Sequence, residues 1–142
     1  MTVAYIDGGA RGNPGPAGYG VRIESADGAL VEELYAPLGI ATNNVAEYNG
    51  LLAALRWAVD HGNQDLEIRS DSELLVKQMR GEYRIKHPGL QPLAAQARLL
   101  LMQLGRVQFK HVRREHNVEA DRLSNLAMDE AESTIKAASS QA

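Results

Sequence analysis

Cysteine is missing from all 142 residues, which excludes a disulfide framework and any thiolate metal or redox centre. Long apolar runs are missing too: none approaches the ~20 residues that span a bilayer. The opening residues, MTVAYIDGG, lack the basic region and long apolar stretch of a secretion signal. Cytoplasm is the compartment expected, with no membrane partner, and a monomer is the assembly expected. A basic excess is also absent, and the formal net charge of −3 weighs against a protein that coats nucleic acid by bulk electrostatics. It leaves room for a local basic surface, and an acidic total suits a chain that gathers carboxylates around cations. Neither an internal repeat nor a linker is present, so a single domain over residues 1–132 is expected, with a frayed tail at 133–142.

What is present reads as alternating strands and helices. Residues 2–7 (TVAYID) alternate as a strand ending in an acid, and GGARGNPGPAG (8–18) is too rich in Gly and Pro for regular structure. Residues 19–25 make a second strand. Asp27-Gly28 signals a hairpin, and residues 30–35 return as a third strand. Beyond Pro37 and Gly39, Thr42-Asn43-Asn44 opens a helix, and Glu47 stands three residues past Asn44 as in a capping box. That helix carries Leu51, Leu52, Leu55 and Val59 and stops at His61-Gly62-Asn63. A fourth strand covers 65–70, and Ser70 or Ser72 caps a short helix bearing Leu74, Leu75 and Met79. Residues 81–88 form a loop, 90–104 an apolar helix, 106–112 a fifth strand, and about 117 to about 131 the last helix. A three-stranded meander followed by strands alternating with helices predicts an α/β chain, its mixed sheet flanked by helices.

Four acids stand out, each with a plainer structural role beside the functional one. Asp7 ends an apolar strand, where a carboxylate is costly to desolvate unless it is paired or binds a metal. Glu47 could do no more than complete the capping box. Asp71 follows directly on the fourth strand, where ligands gather in open α/β sheets and where Asp also serves as a cap. Asp121 lies in the last helix on the face of Asn117, four residues before it, and surface Asp is common there. Coming from four different elements, they could together form a ring of hard oxygen ligands. No His or Cys cluster competes, which favours Mg²⁺ or Mn²⁺ over Zn²⁺ and suits two-metal phosphoryl transfer.

The strings DGGARGNPGPAGYG (7–20), TNNVAEYNGLLAAL (42–55), SDSELLV (70–76) and HVRREHNVEADRLSNLA (111–127) occur in this order across essentially the whole folded chain. Together they resemble the motif set of type 1 ribonuclease H. The resemblance implies the ribonuclease H-like fold, a five-stranded mixed sheet with the second strand antiparallel to the others. It also implies an endonuclease that cuts the RNA strand of an RNA–DNA hybrid, leaving 5′-phosphate and 3′-hydroxyl ends. By position, Asp7, Glu47, Asp71 and Asp121 match the family's catalytic metal ligands, which hold two Mg²⁺ or Mn²⁺ ions with substrate bound. Asn13, Asn43 and Asn44 match positions that touch the minor groove and sugar hydroxyls, and Thr42 one that helps bind a DNA-strand phosphate. Turn and cap chemistry would occupy the same residues.

Two departures follow from the same resemblance. Several members carry a basic, Trp-containing protrusion between the second and third helices, where this chain has only the loop 81–88; its one tryptophan, Trp57, lies in the first long helix. Lys77, Arg80, Arg84 and Lys86 cluster around that loop and are read as a DNA-strand phosphate contact, while Lys110, Arg113 and Arg114 precede the last helix. Many members also place a catalytic His before the last acid. Here the loop is RREHN (113–117), so His116 is the natural candidate, with Glu115 and Arg114 as rivals. Glu73 stands where some relatives have a neutral amide. A resolvase-type DNA nuclease on the same fold and a non-catalytic hybrid-binding module are the alternative readings. Asn13 and Thr42–Asn44 weigh against the first, and the four acids against the second.

Overall fold

The computed structural model describes residues 1–140. Strands β1 (Thr2–Ala10), β2 (Gly15–Glu24) and β3 (Leu30–Ala41) form the meander. After them come α1 (Asn43–Asp60), β4 (Asp65–Ser70), α2 (Glu73–Met79), α3 (Gln91–Leu101), β5 (Arg106–His111), a 3₁₀ turn at Arg114–His116, and α4 (Val118–Ser140). The sheet order is β3-β2-β1-β4-β5. β2 is antiparallel to both its neighbours, while β1, β4 and β5 run parallel. The mixed sheet with an antiparallel second strand is therefore as expected. No helix among the described residues is long and apolar enough to cross a membrane.

Helices cover both faces. Ala4, Ile6, Val21, Ile23, Leu66 and Ile68 pack beneath α1, α2 and α3 in the main core. On the other side, α4 lays Ala120, Leu123 and Ala127 against β1 and β2. The alternation of strand side chains thus sends even-numbered β1 residues toward α1 and odd-numbered ones, Asp7 among them, toward α4.

Several boundaries differ from the sequence reading, and each has a packing cause. The Gly-Pro stretch is mostly strand: β1 continues to Ala10, β2 starts at Gly15, and only residues 11–14 turn. The glycines mark close approach of helices. A Cβ on Gly8 would lie 2.3 Å from the carbonyl carbon of Ala46 in α1, and one on Gly18 would lie 2.4 Å from Cβ of Ala127 in α4. β3 runs well past residue 35 because it is an edge strand, where Pro37 need not donate to a ladder. The pairing steps from Ala17–Gly39 to Gly18–Pro37, a bulge with Gly39 at φ 67. α3 ends at Leu101 rather than Leu104; the N–H groups of Gln103 and Leu104 turn back to the carbonyls of Leu100 and Leu101. α4 passes its predicted stop near Ala131 and reaches Ser140, since AESTIKAASS contains neither Gly nor Pro. The tail predicted to fray is helical from 133 to 140, and residues 141 and 142 lie outside the described residues.

Candidate active site

Sheet pairing creates the crevice. β4 stops at Ser70, opposite Ile6, so Asp7 and Asp71 are the next residues on two strands that have just parted. This is where strand order reverses about β1, the position at which open α/β sheets bind ligands. The carbonyl of Ile6, left without a partner from β4, accepts from Nδ2 of Asn117 at 2.9 Å. Asn117 is wholly buried, and the same nitrogen stands 3.5 Å from Oδ2 of Asp71.

Glu47 arrives from the opposite face. The helix begins two residues earlier than a capping box at Asn44 requires: Thr42 is the N-cap, its Oγ1 accepting from the Val45 amide at 3.2 Å. Glu47 is therefore past the capping positions and turns into the crevice. Asp7, Glu47 and Asp71 each offer a carboxylate oxygen, all within 4.8 Å of one another. Asp121, on the exposed start of α4, lines the same cavity and lies close enough to Asp7 to perturb it, although it stands outside that trio.

Burial and repulsion leave these acids under electrostatic stress. Burial, then the charge of Asp71, raises the Asp7 carboxyl to about 7, against the pull of the Ser124 hydroxyl. Burial likewise raises Glu47 to about 7, partly offset by Ser72 and by the charge of Arg114. Among the described residues, neither Lys nor Arg forms an ion pair with any of the four acids. An all-oxygen cluster that forms no ion pair of its own fits a hard divalent cation.

The remaining candidates divide between two places. Asn13 and Asn43 are tied together: the Asn43 amide donates to Asn13 Oδ1 at 3.0 Å, and the Ala10 amide to Asn43 Oδ1 at 2.7 Å. Asn43 lines the acidic cavity, and Asn44 is exposed beside it on the first turn of α1. Arg114 also lines that cavity. His116 and Glu115 instead border a separate groove beside Tyr5 and Arg22. Of the three residues in the 3₁₀ turn, Arg114 lines the acidic cavity, whereas Glu115 and the expected His116 line the other groove. Of the basic cluster, Lys77 pairs with Glu73 at 2.9 Å, and Arg80 donates to the Phe109 carbonyl at 2.6 Å. Arg84 and Lys86 stay exposed on the loop, Arg84 beside a separate groove.

Similarity to known proteins agrees with this arrangement. A family model described as reverse transcriptase-like matches residues 5–127. The N-terminal RNase H domain of Rv2228c from Mycobacterium tuberculosis superposes with a TM-score of 0.91 at 46% identity, covering 94% of this chain and 97% of that one. The chain belongs to the type 1 ribonuclease H family. LC11-RNase H1, solved in complex with an RNA/DNA hybrid, matches this ribonuclease H chain with a TM-score of 0.88 at 43% identity, covering 92% of this chain and 99% of that one. The M. tuberculosis bifunctional protein Rv2228c is 48% identical over 131 residues, 92% of this chain; the chain spans 36% of that relative's length.

Two residues of this ribonuclease H site escaped the sequence reading. The Ser124 hydroxyl lies 2.9 Å from both Asp7 Oδ2 and the Asp121 carbonyl. Arg11, in the β1–β2 turn, lines the acidic cavity. Ser124 had a signal, since 117, 121 and 124 fall on one helical face. Arg11 had none, because its partners lie more than a hundred residues away in sequence.

Proposed function

We propose that this domain is an endonuclease that hydrolyses the RNA strand of RNA–DNA hybrids, giving 5′-phosphate and 3′-hydroxyl ends. The observation that carries the reading is the trio Asp7, Glu47 and Asp71, brought to one crevice from a strand, a helix and a strand end, with no ion pair to a Lys or Arg among the described residues. Membership of the ribonuclease H family and the likeness to LC11-RNase H1, solved with an RNA/DNA hybrid, support it. Asp7, Glu47, Asp71 and Asp121 would hold two Mg²⁺ or Mn²⁺ ions. When bound, such ions supply charge to the scissile phosphate and make water a stronger nucleophile.

The chain's own groups would then bind and orient. Asn13, Asn43 and Asn44 sit on the turn and helix start beside the acids, where they reach sugar hydroxyls in a wide, shallow minor groove. Thr42 and the α1 N-terminus favour a DNA-strand phosphate. Lys86 extends that contact from the loop. Arg114, rather than His116, faces the reacting phosphate from the rim of the cavity. Ser124 holds Asp7 in place.

The test is a labelled RNA–DNA hybrid, a DNA duplex and an RNA duplex, each incubated with Mg²⁺ or Mn²⁺. Cleavage confined to the RNA strand of the hybrid is the expected result; cleavage of the DNA duplex but not the hybrid overturns the reading. Asp71→Asn is expected to abolish turnover while leaving the circular-dichroism spectrum intact and the melting temperature in chelator no lower than wild type, and near wild-type rates would remove Asp71 from the site.

A further inference from the structure

Resting on the hybrid-cleaving reading, we infer that Arg11 is a positioning residue: it latches the β1–β2 turn onto α4 and so fixes Asn13 and Asn43 for the substrate. Its guanidinium meets three side chains on one stripe of α4. Nη1 lies 2.7 Å from Asp129 Oδ1 and 3.2 Å from Glu132 Oε1, and Nη2 lies 3.2 Å from Asn125 Oδ1. Asn125 in turn donates from Nδ2 to the Asp121 carbonyl at 2.9 Å. Residues 121, 125, 129 and 132 recur at helical spacing, so a single face of α4 carries the fourth acid and every partner of Arg11. Glu132 belongs to that face only because α4 continues beyond Ala131.

The other side of the turn is tied to α1. Asn13 accepts from the Asn43 amide, and Asn43 accepts from the Ala10 amide, the residue before Arg11. The Arg11 amide closes the turn on the Pro16 carbonyl at 2.9 Å. Residues 10–16 thus bridge the N-terminus of α1 and the middle of α4, helices on opposite faces of the sheet. Among the described residues of this exposed turn, Arg11 is the side chain that hydrogen-bonds to α4. A planar fork of donors facing several acceptors suits the task, and a single ammonium would satisfy fewer of them.

A direct phosphate contact is the competing role for an arginine at the edge of an acidic cavity. The two make opposite predictions, because Asp129 and Glu132 restrain Arg11 in one and compete with substrate for it in the other. For the latch, Arg11→Ala raises KM for the hybrid about fivefold or more, leaves kcat within about twofold, and Arg11→Lys recovers part of the loss. Asp129→Asn with Glu132→Gln raises KM in the same direction. Hybrid binding in an Asp71→Asn background keeps its salt slope when Arg11 is removed, whereas a lost phosphate contact lowers the slope by about 1. Amide exchange at Ala10 and Asn43, which needs no substrate, quickens in Arg11→Ala. A lower KM in the Asp129/Glu132 variant, a reduced salt slope, or unchanged exchange at those amides overturns the latch. Failure of the wild-type protein to cleave hybrid sinks the functional reading instead, and the exchange measurement still decides whether Arg11 holds the turn.

Discussion

At the scale of single residues, the acids differed in how plainly they could be read. Asp7 declared itself, since an apolar strand ending in a carboxylate demands a partner. Glu47 did not: with Asn44 taken as the cap it had a sufficient structural role, and only the shift of the cap to Thr42 frees it. The residue from the 113–117 loop was the least legible. A 3₁₀ turn places residues about 120° apart, so one step in register decides which side chain meets the acids. Arg114 meets them here, and its charge already lowers the Glu47 carboxyl from where burial would put it. Arg114→Ala is therefore expected to cut turnover about tenfold or more, and His116→Ala to leave it within about twofold. Steady-state rates on a labelled hybrid check this; a large loss in His116→Ala with none in Arg114→Ala would reverse the assignment.

At the scale of elements, the order of strands and helices was legible because hydrophobic period and breaker residues carry it. Termini were misread where a residue's usual meaning gave way to tertiary packing. Glycine normally marks a turn, yet Gly8 and Gly18 lie within strands because α1 and α4 press against the sheet there. Proline normally ends a strand, yet Pro37 sits in β3, on the sheet edge. The glycines matter to function because they set the distance between the elements that carry the acids. Gly8→Ala would thrust a methyl into the α1 backbone at Ala46, two atoms of which lie 2.3 and 2.5 Å from the new carbon. Backbone cannot swing aside as a side chain can, so a cost of about 3 kcal/mol is expected, lowering the melting temperature by roughly 10 °C. Glu47 would move away from Asp7 with the helix, so metal affinity should fall as well. Thermal melts with and without Mg²⁺ measure both; a variant as stable and as Mg²⁺-responsive as wild type would show that the close approach is not rigid.

At the scale of the whole molecule, the site is a place where the fold buries carboxylates and, beyond that, sets them against one another. Two helices clamp opposite faces of the sheet and drive acids from both sides into the gap where β4 ends, which raises Asp7 and Glu47 from ordinary values of 3.8 and 4.5 to about 7. Protons therefore bind the folded chain more tightly than the unfolded one. The contribution of these groups to stability is full below pH ~4, where both states are protonated, and is lost as pH rises through about 7. Acids held below their usual values, Asp27 and Glu73, act in the opposite sense but only at lower pH. The interval from pH 5 to 8 lies above the titration of those two acids and spans that of Asp7 and Glu47. With chelator present, the melting temperature is expected to decline across that interval. Mg²⁺ should add little at pH 5, where protons already quiet the repulsion, and much more at pH 8, where ionised carboxylates bind it and binding to the folded state alone stabilises that state. Asp7→Asn removes one titrating group and one charge, so its chelated melting temperature should vary less with pH than that of the wild type. A variant whose melting temperature falls as steeply as wild type between pH 5 and 8 would place the source of the decline outside the crevice.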